Sequence, residues 1–351
     1  MSQLNGLVIN CRFLTQEING VQKFAFEICQ VIKKKCPEVI FVAPNASLNV
    51  HGEKILQPEK IGFLKGHLWE QIELPIFLRV RKLDFLLNLA NTGPIFWKKS
   101  FVTIHDLAFM EDKRWFNPNF RRWYNFLIPR IAYRSLRIFT VSNFSKSELS
   151  TKLGIPMKKI AVIYNAVNLK INGEQEDKVK GRILTVGSIN PRKNLQVLLK
   201  AFRSFETKYE LVIIGGKSEV FGKSEAGEEG TNVSYMGYVD DYLLSYYYRT
   251  SELFVYPSLY EGFGIPPLEA MSQGCPVLLS NIPAHKEIYE GSAQFFDPAS
   301  VKSLIEGIQH FFEMSDLAKT KMILNSKNRA NEFTWEASAN LILNSVETCM
   351  K

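Results

Sequence analysis

Two glutamates, Glu261 and Glu269, bracket a Gly-Phe-Gly and a Pro-Pro in "VYPSLYEGFGIPPLEAMSQGCPVLLS". The stretch opens as a strand end. Gly262 and Gly264 let the backbone bend and approach a ligand closely. Pro266 or Pro267 suits the first turn of a helix, where an N–H would have no partner. The N–H groups of such a turn and the helix dipole favour an anion. A diphosphate held against Gly262, Phe263, Gly264 and Ile265 fits. A carboxylate repels phosphate but accepts hydrogen bonds from sugar hydroxyls. Glu269, one turn into the helix, can then reach a ribose, and Glu261, on the loop, can reach a sugar on the other side. The plainer alternative is a helix-capping glutamate beside a solvated one.

Two further groups of residues could share that chemistry. In "VGSINPRKNLQVLLKAF", Gly187 closes a strand, and Arg192 and Lys193 precede a helix. Adjacent cations there can neutralise a leaving diphosphate. Because cations oppose the dipole at a helix N-terminus, a bound anion explains them better than a solvated helix start. In "TIHDLAF", His105 stands at a strand end and Asp106 follows it, a carboxylate that could orient the ring. A G-x-G-x-x-G dinucleotide fingerprint fails here, because Pro267 stands where the third glycine belongs.

These residues need strands to hold them. "GLVINC" (6–11), "VIFVA" (39–43), "DFLLNL" (84–89), "FVTIHD" (101–106) and "RIFTVS" (137–142) read as buried strands, with helical periodicity between several of them. A helix is expected over 19–34, and another over 142–154, capped by Asn143 or Ser145 and stopped by Gly154. After "AVIYNAVN" (161–168) the polar "LKINGEQEDKVKG" marks a domain boundary. The alternation restarts with strands at 182–187, 210–216, 252–257 and 276–280 and helices at 193–205, 240–250 and from about 266. "GKSEVFGKSEAGEEGTN" (216–232) reads as an exposed loop. Apolar strands alternating with helices give an α/β class with two doubly wound parallel-sheet domains. The expected division is 1–168, joined by a crossover helix at 334–351, and 169–333. Ligands bind such domains at the carboxyl ends of the strands, where the singled-out residues fall.

Composition sets limits. The chain has 351 residues, 46% hydrophobic and 22% charged, which suits an ordinary globular protein of two domains. No apolar run reaches the ~18 residues that span a bilayer. The start lacks a basic region followed by an apolar core, so no signal peptide is expected. Five cysteines without a C-x-x-C pair fit a reducing cytoplasm and argue against a zinc site. The charge of +8 is uneven: residues 1–168 hold 24 Lys and Arg against 12 Asp and Glu, a net +12 that leaves the remainder at −4. The basic half invites an anionic partner. No recognised nucleic-acid motif is present, so nucleic acid is not expected. "DKRWFNPNFRRWYNFLIPRIAYRSLR" (112–137) mixes arginines with large aromatics, which suits peripheral membrane docking and equally a core helix with a solvated basic face.

"EGFGIPPLE" resembles the E-x7-E motif of family 4 glycosyltransferases, retaining enzymes of the GT-B fold, in which two Rossmann-like domains face across a cleft. The resemblance covers nearly the whole chain. It implies an N-terminal acceptor domain and a C-terminal nucleotide-sugar domain. It also implies that Arg192 and Lys193 stabilise the diphosphate and that His105 contacts the donor sugar near the reaction centre. "TQEINGVQKF" is similar to the family's first glycine loop, near the phosphates, with Gly20 as its key residue. Gly216 and Lys217 are expected near the base or phosphates, and "SNIPAHKE" (280–287) near the base. "NAVN" departs from the Asn-Gly-Val-Asp turn of many relatives, which puts the hinge contacts in doubt. "HLWEQIELP" (67–75) and "VTIHDLAF" (102–109) look most like the polysaccharide and O-antigen branch, which includes mannosyltransferases. That branch implies GDP-mannose as donor and a saccharide or lipid-linked saccharide as acceptor; no metal-ligand cluster appears, and the GT-B fold implies cations and backbone dipoles in a metal's place, so no cofactor or metal is expected. Two other readings stay open: a GT-B sugar-nucleotide epimerase and an NAD-dependent oxidoreductase.

Overall fold

A computed structural model of the chain describes residues 4–168, 176–205, 208–216 and 232–351. The chain divides into two compact units, Met1–Asn165 with Thr334–Lys351, and Ala166–Phe333.

In the first unit seven strands form one parallel sheet. They are β1 (Leu7–Asn10), β2 (Ile40–Pro44), β3 (Glu59–Ile61), β4 (Phe85–Asn88), β5 (Ser100–Thr103), β6 (Arg137–Thr140) and β7 (Ile160–Val162), in the order β3-β2-β1-β4-β5-β6-β7. The order reverses between β1 and β4, which pair in register from Leu7 with Phe85 to Asn10 with Asn88. Such a reversal opens a crevice at the carboxyl ends of the two strands. The central strands are apolar runs because helices cover both faces of a parallel sheet. The helix Gly20–Lys35 buries Phe24, Ala25, Ile28 and Ile32. The helix Trp335–Met350 belongs to the same unit, and Trp335 meets Phe24 edge-on.

The helical segment from Gly66 to Val80 contains a π turn at Trp69–Glu73. Pro75, just beyond it, has no N–H to give its helix, and a wider turn before it absorbs the missing bond. The helix Asn143–Leu153 is capped by Ser142, whose hydroxyl accepts from Ser145 N–H at 3.0 Å. Neither Asn143 nor Ser145 is the cap, because Ser142 keeps the extended backbone that a cap requires. Gly154 ends the helix in the left-handed region.

The second unit holds six parallel strands. They are β8 (Val179–Val186), β9 (Glu210–Ile214), β10 (Val233–Gly237), β11 (Ser251–Tyr256), β12 (Val277–Ser280) and β13 (Gln294–Phe296), in the order β10-β9-β8-β11-β12-β13. Here the reversal lies between β8 and β11. Ile183, Leu211, Leu253 and Leu278 of the sheet share a core with Leu198, Phe202, Leu304 and Ile308 of the covering helices. Among the described residues no helix is long and apolar enough to cross a membrane. All five cysteines are free.

Candidate active site

The carboxyl ends of β8 and β11 bring the predicted cations and the first glutamate together. After β8 the chain makes a 3-10 turn, Pro191–Lys193, before Asn194 takes a left-handed conformation and the helix Leu195–Phe202 begins. Arg192 and Lys193 therefore precede that helix and do not lie at its first turn, which corrects the expected start at 193. The Asn190 side chain accepts from Arg192 N–H at 2.9 Å and fixes the turn. Leu259 N–H, beyond β11, donates to Arg192 O at 2.8 Å and ties the two loops together.

Glu261 is buried between the two cations. Arg192 Nη1 lies 3.2 Å from Oε2 and Lys193 Nζ 2.6 Å from Oε1. Lys193 Nζ also donates to Tyr256 Oη at 2.5 Å, and Arg192 Nη1 to Tyr260 O at 3.0 Å. Burial alone would raise the Glu261 carboxyl, but Lys193 and then Arg192 outweigh it and hold it far below the usual carboxylate range. The carboxylate thus compensates the cations that the sequence left uncompensated. The helix-dipole argument for a bound anion loses its footing, and the switch-point position takes its place. Tyr256 is fully buried, and burial with the Glu261 charge pushes its phenol well up, so it stays a neutral hydroxyl between ammonium and carboxylate.

The turn that follows is shaped by glycine and proline. Gly264 sits at φ +91°, and a Cβ there would stand 3.2 Å from His285 Nε2. The helix Ile265–Ser272 begins with Pro266 and Pro267 in its first turn. Of the four N–H groups that a helix start leaves unpaired, the prolines remove two, so Gly264 and Ile265 keep theirs. Phe263 is buried against Tyr289 and Phe333, so its ring anchors the loop. Glu269, in the second turn, is buried and accepts from Tyr248 Oη at 3.1 Å. Tyr248 is itself buried, which raises its phenol far above the ordinary value and keeps it a donor.

On the other side of β8, the loops after β8 and β9 meet back to back. Gly187 N–H donates to Ile214 O at 2.9 Å. The Lys193 stem runs over Gly187, 3.8 Å from where a Cβ would stand. At Gly216, φ +74°, a Cβ would collide with Ile189 at 2.7 Å. Lys217 and most of the loop expected at 216–232 lie outside the described residues.

His285 lies within "SNIPAHKE" but outside the residues that the sequence marks for the site. It is fully buried on the helix Pro283–Tyr289. Ser280 Oγ donates to Ser258 O, so it must accept from His285 Nδ1–H at 3.2 Å, and Ser280 O accepts at 3.0 Å. Nε2 is then a bare, buried acceptor facing Gly264. Burial pushes the imidazole down to about 4. The unfolded chain, with a histidine near 6.5, binds the proton first, so this contribution to stability is lost as pH falls below about 6.5. Between pH 7 and 5 it should cost the second unit about 2 kcal/mol, or roughly 4–8 °C in melting temperature. A His285→Gln protein should lose less over the same interval by calorimetry; an equal loss would exclude His285 as the cause.

The remaining predicted residues lie in the first unit. Gly20 opens the helix Gly20–Lys35, exposed and just after its cap, Asn19. His105 is buried at the end of β5; its Nε2 donates to Leu89 O at 3.1 Å and its ring meets Phe24 edge-on at 4.8 Å. Burial lowers its pKa. Asp106 does not orient the ring: its Oδ1 accepts from Ala108 N–H at 3.0 Å and caps its own turn. A short acidic side chain satisfies the backbone two residues on more readily than its neighbour's ring.

A buried polar cluster that the sequence did not reveal fills the β1/β4 switch point. Glu70 Oε1 accepts from Asn10 Nδ2 (2.9 Å), Arg12 Nε (3.1 Å) and Thr92 Oγ1 (3.1 Å), and Arg12 Nη2 donates to Thr92 at 2.7 Å. Burial would raise Glu70; Arg12 and His67 bring it down to about 2. Arg12, Phe13, Glu70 and Thr92 line a small opening of about 10 Å³, room for little more than a water molecule.

The segment 112–137 divides its seven aromatics between core and surface. Phe116, Trp123 and Tyr124 pack on the core formed by Leu127, Ile128 and Ile131. Arg114 pairs with Asp112, and Arg121 Nε donates to Phe109 O at 3.0 Å. Phe120, Phe126, Tyr133, Arg122, Arg130 and Arg134 face outward. Among the described residues no group of three His, Cys, Asp or Glu could hold a metal.

Known proteins resemble this chain in sequence and in fold. A family model described as "Glycosyl transferases group 1" matches residues 168–329, and one described as "Glycosyltransferase Family 4" matches residues 18–171. The O-antigen chain mannosyltransferase RfbU of Salmonella typhimurium is 28% identical over 70% of this chain and 69% of its own length. The O-antigen chain mannosyltransferase B of Escherichia coli is 28% identical over 70% of each. Among solved structures, Anabaena Alr3699/HepE in complex with UDP-glucose superposes with a TM-score of 0.71 over 97% of this chain and 99% of that one, at 14% identity.

Proposed function

The chain belongs to the family 4 glycosyltransferases of the GT-B fold, and on that premise we propose that it moves mannose from GDP-mannose, with retention, onto a saccharide or lipid-linked saccharide in polysaccharide or O-antigen synthesis. Membership in the family sets the oxidoreductase reading aside. The observation that carries the proposal is the pairing of Glu261 with Arg192 and Lys193 at the β8/β11 switch point. The mannosyl assignment draws on the two O-antigen relatives.

In the proposed reaction the 169–333 domain holds the donor. Gly262, Gly264 and Ile265 turn their backbone to the diphosphate, Glu269 takes a ribose, Glu261 the sugar, and Gly187, Gly216 and Lys217 flank the nucleotide. The bond from C1 to the diphosphate oxygen breaks, and the acceptor oxygen bonds to C1 on the same face. The departing phosphate oxygen takes the acceptor proton, and Arg192 and Lys193 carry its charge. Glu261 is a poor nucleophile, because both oxygens already accept from cations and it is held strongly ionised. The first domain supplies Gly20 and His105, and its Arg12–Glu70 opening suits acceptor hydroxyls. No cofactor or metal is required, because the cations do a metal's work, and the setting is the cytoplasm.

The test combines binding and turnover. GDP at a hundred times its dissociation constant should add ~2.7 kcal/mol, roughly 5 °C or more in melting temperature, ahead of UDP, dTDP, ADP and NAD. GDP-mannose should then yield an α-linked product, undiminished by EDTA. A larger shift with UDP would move the donor to a uridine nucleotide. Conversion of the donor sugar without transfer would favour the epimerase. A shift with NAD alone would overturn the reading.

A further inference from the structure

The helical segment Gly66–Val80 is apolar on two faces. Trp69, Leu74 and Leu78 face inward, in a core with Val8, Val42 and Leu86. Leu68, Ile72, Ile76 and Val80 face outward and are between 46% and 75% exposed, and Phe63 just before them is 90% exposed. Four residues overshoot a full α-turn by about 40°, so an every-fourth-residue stripe normally winds around its helix. The wider π turn at Trp69–Glu73 falls short of a full turn in four residues and offsets part of that drift. The four side chains therefore keep closer to one line. A surface helix normally has one apolar face, turned to the core, and this one shows a second to solvent.

We propose that this ridge docks the first unit onto an anionic lipid surface. Charge selects the occupant. Lys65, Arg79, Arg81 and Lys82 are exposed along or beside the ridge. Among the described residues Lys65, Arg79 and Lys82 form no ion pair, and Arg81 is shared with Glu59. Of the two glutamates in the segment, Glu70 is buried and Glu73 is engaged by the N–H groups of Phe63 and Leu64. The neighbouring elements extend the pattern. His67 packs on Trp123 at 5.5 Å, and the Gln71 side chain bonds Gly93 O and Ile95 N–H. Beyond these contacts, Arg130 stacks on exposed Phe126 and Arg134 on exposed Phe96. An apolar stripe flanked by basic residues is the pattern that seats at a headgroup boundary. A second copy of the chain is disfavoured, because a two-fold contact would press the same basic patch against itself.

The docking rests on this surface alone and does not need the donor assignment. The full chain should pellet with vesicles of phosphatidylcholine and phosphatidylglycerol at low salt, and much less with phosphatidylcholine alone. Ile72→Gln with Ile76→Gln, both exposed positions, should lower binding by at least about tenfold with an unchanged melting temperature. Lys65→Gln with Arg79→Gln and Lys82→Gln should weaken binding and flatten its salt dependence. Failure of the unaltered chain to pellet would overturn the proposal, as would binding indifferent to Ile72 and Ile76. So would a dimer by light scattering that the Ile72 and Ile76 substitutions dissolve, which would assign the ridge to self-association.

Discussion

Lys193→Ala is expected to lower turnover by about 10²–10³-fold while the second unit stays folded. The ammonium is held in place from three sides: by Glu261, by the Tyr256 hydroxyl, and by a stem that passes over Gly187 and the Tyr256 ring. It is also fixed before any ligand arrives, so it is preorganised for the charge that develops on a departing diphosphate. An interaction made chiefly in the transition state lowers kcat and kcat/KM together when it is removed. The fold should tolerate the loss, because Arg192 still pairs with Glu261 and no buried charge is orphaned. Nucleotide release with acceptor present measures the effect, and a melt reports on the fold. Near-normal turnover would remove Lys193 from the chemistry.

What the sequence made legible follows from what it advertises. The buried strands of both sheets announce themselves as apolar runs, since helices cover both faces. The four strands that escaped, β3, β7, β10 and β13, are all sheet edges. "EKI" pairs on one side only and is largely exposed, so it carries no apolar signature. Gly-Phe-Gly before Pro-Pro was readable because backbone geometry leaves few residue types that fit. The partners of Glu261 were not readable, because Lys193 comes 68 positions earlier in the chain and only the closing of β8 on β11 joins them. Tyr256 and Tyr248 were hidden for another reason. A tyrosine on a buried strand or helix looks like core until its hydroxyl is found on a carboxylate. The pairing of Asp106 with His105 was inferred from adjacency, and adjacency favoured the backbone instead. Trp123 and Tyr124 looked interfacial by composition, but they pack inward on a core. The better ridge lay in "HLWEQIELP", whose outward residues look like any helical core stripe until burial tells the two faces apart.

Glu261→Gln should have effects of opposite sign on binding and turnover. In the protein as it stands, one carboxylate offsets two cations, and the three charges sum to +1. The amide removes that compensation and turns an NH₂ toward a cation. The cluster then carries +2 and draws a nucleoside diphosphate more strongly, by about tenfold, or 1.4 kcal/mol. Turnover should nevertheless fall about 10²-fold, because the cations lose their fixed positions and the sugar loses an ionised acceptor. The empty protein should be less stable by about 3 kcal/mol, since one member of a buried pair has been removed, and the diphosphate should restore much of it. The pH dependence has a definite sign. Glu261 titrates far below its unfolded value, so its contribution is complete above that value, near 4.5, and is lost only as pH falls toward the folded one. The gap between the two proteins should therefore stay flat from about pH 6 to 9. If Glu261 met only the donor sugar, with the cations set elsewhere, the diphosphate would bind both proteins equally. Unchanged diphosphate affinity in Glu261→Gln would separate the carboxylate from the cation pair, and the site would need a different holder for Arg192 and Lys193.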